Sequence, residues 1–191
     1  MKLLEKNVLT MVILAALLTP RAGRTQSTFI FSNYSPPVNA PVFDASGGRL
    51  SGTNYVAVLY GGPSPDSLQL GSNPVPFTFM PNGLTGYFRG SGSVEFDTVP
   101  CGGFAWLQVR AWDARLGSTY DDVVRLGLGG YGESNLFQAQ GGNACPILPG
   151  LPNPLIGLQS FSLLPEMPEP KSLLLLFLGL PLLLLRRRRL E

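Results

Sequence analysis

The chain of 191 residues contains no histidine and only two cysteines. Without an imidazole there is no Ser-His-Asp triad and no Cys-His pair, so the commonest activated nucleophiles are excluded. Between residues 26 and 164 there is no lysine either, which removes a Ser-Lys dyad. Two cysteines without histidine do not make a structural zinc set, and no Asp-x-Asp-x-Asp-Gly loop offers a calcium site. No metal and no cofactor is therefore expected. Charge is sparse as well, at 14% of residues. The 26–164 stretch carries five arginines against eight carboxylates, 5 − 8 = −3. The formal charge of +2 on the whole chain thus comes from its two ends and does not describe a basic surface for nucleic acid.

Apolar runs lie at both ends. Lys2 and Lys6 precede an apolar stretch from Val8 to Leu18, the length of a signal-peptide core. Gly23 and Thr25 are the best small pair before a cleavage point, so residues 1–25 are expected to be a signal peptide and Gln26 the mature start. At the other end Pro168, Glu169, Pro170 and Lys171 lead into Ser172 and a leucine-dominated run from Leu173 to Leu185. Arg186, Arg187, Arg188 and Arg189 follow. The two prolines favour open, extended chain. The apolar segment 172–185 spans roughly 21 Å as a helix, short of a ~30 Å hydrocarbon core. Snorkelling by Lys171 and the arginines and local thinning make up the difference. The four arginines place the C-terminus in the cytoplasm.

Those three ordered elements in 165–191, namely the motif 168–170, the apolar transmembrane helix 172–185 and the basic stop 186–189, resemble the PEP-CTERM sorting signal of Gram-negative bacteria. The resemblance covers about an eighth of the chain. It implies an exosortase substrate: a protein exported, held transiently in the inner membrane by its C-terminal helix, then passed to the cell surface or extracellular matrix. Lys171 departs from the pattern, where a small hydroxyl residue is usual, and Pro181 interrupts the helix. Tails of this kind also carry the label of an ice-binding protein C-terminal domain, which names the tail and not an activity. Flat ice-binding faces need regular threonine arrays, and the threonines here are scattered.

The segment 26–164 is long enough for one buried core. With 23 glycines and 18 prolines in the chain, it reads as a single secreted all-β, β-sandwich-like domain with one short helix. Strands are expected at Thr28–Phe31, Val42–Phe43, Phe77–Phe79, Tyr87–Phe88 and Ser160–Leu164. Tyr55–Tyr60 is apolar on both faces, as a central strand should be. Val94–Asp97 alternates, with Val94, Phe96 and Thr98 on one side and Glu95 and Asp97 on the other. Phe104–Ala111 should be the longest strand. Ala105, Leu107, Val109 and Ala111 share one face, and Phe104, Trp106, Gln108, Arg110 and Trp112 the other. A helix should start at an N-cap Ser118 with Asp121 three residues on, turn Val123, Val124 and Leu126 to the core, and stop at Gly127. Residues 129–142 read as loop around a short strand at Leu136–Phe137. The stretch Tyr55–Tyr60 and the run Val109-Arg110-Ala111-Trp112-Asp113 resemble secreted β-sandwich proteins that carry such tails; no activity follows from that.

Export puts Cys101 and Cys145 in an oxidising compartment, where they are expected to form a disulfide. Closing that loop contributes on the order of 4 kcal/mol in the chain-entropy picture. Glu95 and Asp97, roughly 7 Å apart by strand rise, are the one carboxylate pair that suggests a glycosidase. A solvated strand face explains them more simply. Asp121 and Asp122 read as first-turn helix acids. Gly127-Leu128-Gly129-Gly130-Tyr131-Gly132 fits G-x-G-x-x-G but follows a helix and opens none, so it is no nucleotide loop. Asn33-Tyr34-Ser35 fits a sequon, although a turn is the plainer reading. Trp106, Trp112 and the tyrosines could stack on sugar rings or pack the core. The chain is thus expected to be a surface or matrix protein of structural, adhesive or polysaccharide-binding kind, with exosortase, membrane and exopolysaccharide as candidate partners and no nucleic acid. It is not expected to be an enzyme; the alternative is a carbohydrate-active hydrolase using Glu95 and Asp97.

Overall fold

A computed structural model describes residues 26–77, 83–144 and 150–166. The signal-peptide segment, the sorting motif, the apolar run, the basic stop and Cys145 lie outside the described residues. Among the described residues no helix is long and apolar enough to cross a membrane.

The described residues form an all-β domain with one helix. The strands are β1 (Gln26–Ser32), β2 (Tyr34–Ser35), β3 (Val38–Asn39), β4 (Val42–Phe43), β5 (Gly52–Gly62), β6 (Gln69–Leu70), β7 (Val75–Phe77), β8 (Arg89–Phe96) and β9 (Phe104–Asp113). After helix α1 (Tyr120–Leu126) come β10 (Tyr131–Glu133), β11 (Phe137–Gln140), β12 (Gly142–Ala144) and β13 (Phe161–Ser162). The larger sheet is built on β5 and β9, which pair antiparallel from Tyr55–Asp113 to Gly62–Trp106. The far edge of β9 carries β10 and β11, and that of β5 carries β6 and β7. Both strands are therefore interior to the sheet; β5 is apolar on both faces from Tyr55 to Tyr60, whereas β9 carries Gln108 and Arg110 on its outer face. At eleven residues β5 exceeds β9 by one, so Phe104–Ala111 does not belong to the longest strand. Residues 129–142, expected as loop around a strand at Leu136–Phe137, contain β10 and β11. The three residues of β10 are too short to show a period, and both strands are held by their ladders to β9.

A second sheet runs β12-β1-β8. Its inner residues Phe29, Phe31, Val94 and Phe96 share one buried cluster with Ala57, Leu59, Leu107 and Val109 of the larger sheet. Phe29 meets Phe96 edge-on at 6.1 Å. Gly61 makes this approach possible, since a Cβ there would stand 2.5 Å from the Phe96 ring. Thr98, expected inside, is exposed, and Val99 is buried in its place. The alternation stops because β8 ends at Phe96 and the chain turns.

The opposite face of the larger sheet receives the helix. Tyr120 and Val123 of α1 pack on Val56, Val58 and Trp112. The N-cap is Thr119 and not Ser118: the Thr119 hydroxyl accepts from the Asp122 backbone N–H at 3.2 Å and donates to the Asp122 carboxylate at 2.7 Å. Asp121 and Asp122 do lie in the first turn. The shift of one residue turns Tyr120 inward and leaves Val124 and Leu126 exposed, against expectation. Gly127 ends the helix in the left-handed region, φ 66°, where a side chain would be strained.

Asn33 is wholly buried where β1 ends. Its amide donates to the carbonyls of Ala40 and Gly86, each at 2.8 Å, and its Oδ1 accepts from the Phe88 N–H at 2.8 Å. One side chain thus satisfies backbone groups from two distant segments. It also explains why Tyr87 and Phe88 are buried without forming the expected strand: the Phe88 N–H bonds to a side chain instead of a ladder. With both amide hydrogens donated inside the protein, Asn33 is not an exposed sequon. Replacing Asn33 by Ala orphans the Phe88 N–H and the Ala40 carbonyl and leaves the Gly86 carbonyl with the Val42 N–H alone, so it should lower unfolding free energy by about 2–4 kcal/mol in urea titration. A loss under about 0.5 kcal/mol would show that water replaces these bonds without cost.

Cys101 is disulfide-bonded, and Cys145 is the chain's other cysteine. Its turn is stitched to the segment that leads to Cys145. Ser27 Oγ donates to the Pro100 carbonyl at 2.5 Å, Gln140 Nε2 to the Gly102 carbonyl at 3.0 Å, and the Gly141 N–H to the Gly103 carbonyl at 2.9 Å. Non-reducing peptide mapping of exported protein should recover Cys101 linked to Cys145. Alkylation of both thiols without reductant would refute the pairing.

Candidate functional site

The carboxylate pair is not assembled as a site. Glu95 is exposed on β8, and Asp97 is exposed in the turn after that strand. Trp112 is no sugar platform: it is buried beneath α1, and its Nε1–H donates to the Gly117 carbonyl at 3.0 Å. Gly127 to Gly132 runs from the helix C-cap into β10 and not from a strand into a helix.

What the structure does bring together lies on the outer face of β9. Alternate residues of a strand share a face, so Phe104, Trp106, Gln108, Arg110 and Trp112 all point away from the common core. The helix covers this face only at the Trp112 end. Beyond it, residues paired across the sheet extend the surface sideways: Gln140 opposite Phe104, Gln138 opposite Trp106, Tyr60 opposite Gln108 and Glu133 opposite Arg110. Phe104 is 59% exposed, an uncommon fate for a strand phenylalanine, and Gln138 and Gln140 are exposed beside it. Trp106 and Tyr60 are half-buried.

Arg110 closes the strip. Its guanidinium lies 4.2 Å from the Tyr60 ring centre and 5.2 Å from that of Tyr120. Its Nε–H donates to Gln108 Oε1 at 3.0 Å, and Glu133 lies at 3.8 Å. Next to it a groove of about 530 Å³ opens between α1 and β10, lined by Arg110, Tyr120, Asp121, Tyr131, Glu133 and Ser162 among others. Burial, and then the charge of Glu133, pushes the Tyr120 phenol above its ordinary pKa, so it stays neutral. Aromatic faces beside fixed carboxamides, a guanidinium and carboxylates can stack on the C–H faces of a sugar and hydrogen-bond its hydroxyls. Of these residues, Trp106 and the tyrosines were visible in the sequence as possible sugar-stacking groups, whereas Phe104, Gln108 and Arg110 were placed on one strand face without that role. Glu133 was hidden because its segment reads as loop. The alternation Phe137-Gln138-Ala139-Gln140 was the available signal for β11.

The Trp112 end of the strand is anchored by Asp113, which is completely buried. Its carboxylate accepts from the Arg115 backbone N–H at 2.9 Å and, in fork geometry, from Arg115 Nε and Nη2. Burial alone would raise its pKa. The Arg115 hydrogen bonds and charge outweigh that and hold it below the ordinary 3.8.

No protein-family model, no curated protein and no solved structure matches the chain.

Because the Asp113 pKa is depressed on folding, its contribution to stability is present above the unfolded value near 3.8 and is lost as pH falls through the folded value. Asp113→Asn should therefore be about 1–3 kcal/mol less stable than the wild type at neutral pH. The two unfolding curves should converge below pH 4. A gap that stays constant into acid would mean that the charge of Asp113 contributes nothing.

Proposed function

We propose that this is an exported protein of the cell surface or extracellular matrix, sorted through its C-terminal tail, whose β-sandwich-like domain binds polysaccharide. The observation that carries the binding half is the uncovered outer face of β9, where Phe104 and Trp106 stand among Gln108, Gln138 and Gln140 with a tyrosine-lined groove beside them. The sorting half rests on the sequence: a signal-peptide-like start, the Pro168-Glu169-Pro170 motif, the apolar run and the four arginines. Exosortase, the inner membrane during transit and exopolysaccharide are the partners this reading names. Two sheets around one shared core support the β-sandwich-like description. A disulfide at Cys101 suits an oxidising compartment.

The alternative, a hydrolase using Glu95 and Asp97, has less support, because both carboxylates are exposed and Asp97 lies in the turn beyond the strand that carries Glu95. Intact-mass measurement of protein released at the surface of the native host should show both hydrophobic ends removed. Material that retains Leu173–Arg189 would overturn the sorting reading. In the same preparation, release of reducing ends from a glycan, lost in Glu95→Gln or Asp97→Asn with folding intact, would replace the binding protein by the hydrolase.

A further inference from the structure

Resting on the polysaccharide-binding reading above, we propose that the ligand is an uncharged, extended polysaccharide lying along β9. Its chain would run from Phe104 and Trp106 over Gln108 into the Arg110–Glu133 groove.

The length of the site follows from the strand. From Phe104 to Arg110 is six residue steps, about 20 Å at ~3.4 Å per residue, enough for several consecutive sugar units and too long for a monosaccharide pocket. Phe104 and Trp106 are two residues apart on one face, so their rings repeat at about 7 Å, a spacing that suits a linear repeat and not a single ring. Two polar groups flanking the rings are already held in place. Gln108 Oε1 accepts from Arg110 Nε at 3.0 Å, which leaves its amide hydrogens for the ligand. Gln140 Nε2 donates to the Gly102 carbonyl at 3.0 Å, which leaves its Oε1 as an acceptor. Side chains fixed before binding lose less entropy on binding.

Charge selects the class of chain. Phe104, Trp106, Gln108, Tyr60, Gln138 and Gln140 carry no formal charge. The single cation at the end of the strip, Arg110, is offset by Glu133 at 3.8 Å, and Asp121 adds a second carboxylate to the groove. Among the described residues, a uronate or sulfated chain would meet net negative charge in the groove and no compensating cation along the strip. A protein partner would want a continuous apolar patch, whereas here one exposed and one half-buried ring are flanked by the carboxamides of Gln108, Gln138 and Gln140.

The test is affinity gel electrophoresis of the exported protein, as recovered from the host, in gels containing neutral glucan, xylan, galactomannan or polygalacturonate. Retardation by at least one neutral polysaccharide is expected. Trp106→Ala and Phe104→Ala should each weaken it at least ten-fold, and Glu95→Gln, on the other sheet, should leave it unchanged. Trp106 is half-buried, so Gln138→Ala at a fully exposed position serves as the second variant, with a loss of at least three-fold and an unchanged melting temperature. Binding to a neutral glycan that survives all three strip variants would overturn this site while leaving polysaccharide binding intact. Retardation by polygalacturonate alone would overturn the neutral class. Retardation by none of the four would overturn this site together with the binding function it rests on.

Discussion

The eight-residue antiparallel ladder between β5 and β9 is the constraint on which the rest of the domain depends. Each strand is paired on both edges, and the second sheet and the helix pack on the two faces that this ladder defines. On one side Ala57, Leu59, Ala105, Leu107, Val109 and Ala111 make the floor of the common core. The small side chains at Ala57, Ala105 and Ala111 leave room for the large rings from the opposite sheet, Phe29, Phe31 and Phe96. On the other side Val56, Val58 and Trp112 receive Tyr120 and Val123 of the helix. Losing register by one residue would exchange these two faces, sending Gln108 and Arg110 into the core. Burial on both sides therefore fixes the register twice.

The outer face is then divided by the length of the helix. Seven residues of α1 cover only the Trp112 end of β9. The remaining half is left with rings and carboxamides facing water, a combination that a fold selected only for stability has no reason to keep. Asp113 and Arg115 fix the chain where β9 leaves the sheet, and Thr119 starts the helix a few residues later. The covered and uncovered halves thus meet at a boundary set by local hydrogen bonds, with Arg110 stacked on Tyr60 and near Tyr120 at the join.

Period-two patterns made much of this legible before any coordinates. Tyr55–Tyr60 and Phe104–Ala111 read as two-faced strands, the Val94–Phe96 alternation put the right two residues inside, and the helix was placed within one residue of its cap. What stayed hidden was long-range. Asn33 looked like a turn residue because its partners sit near residues 40, 86 and 88, and no local pattern records that. Tyr87 and Phe88 looked like a strand because aromatic residues usually are; their burial comes from the Asn33 bracket. Alternation sorted the residues of β9 onto their two faces. It could not say which outward residues the helix would cover, so Trp106 and Trp112 looked equivalent although one is half-buried on an open strip and the other is sealed.

That difference between the two tryptophans gives the most direct measurement of the central claim, that the uncovered half of the β9 outer face is the working surface. Hydroxyl-radical footprinting of the exported protein, with and without a polysaccharide that retards it, reads both indoles at once. Trp106 should be oxidised in the free protein and protected in the complex, while Trp112 should resist oxidation in both. A complex in which Trp106 is oxidised as fast as in the free protein would contradict the account.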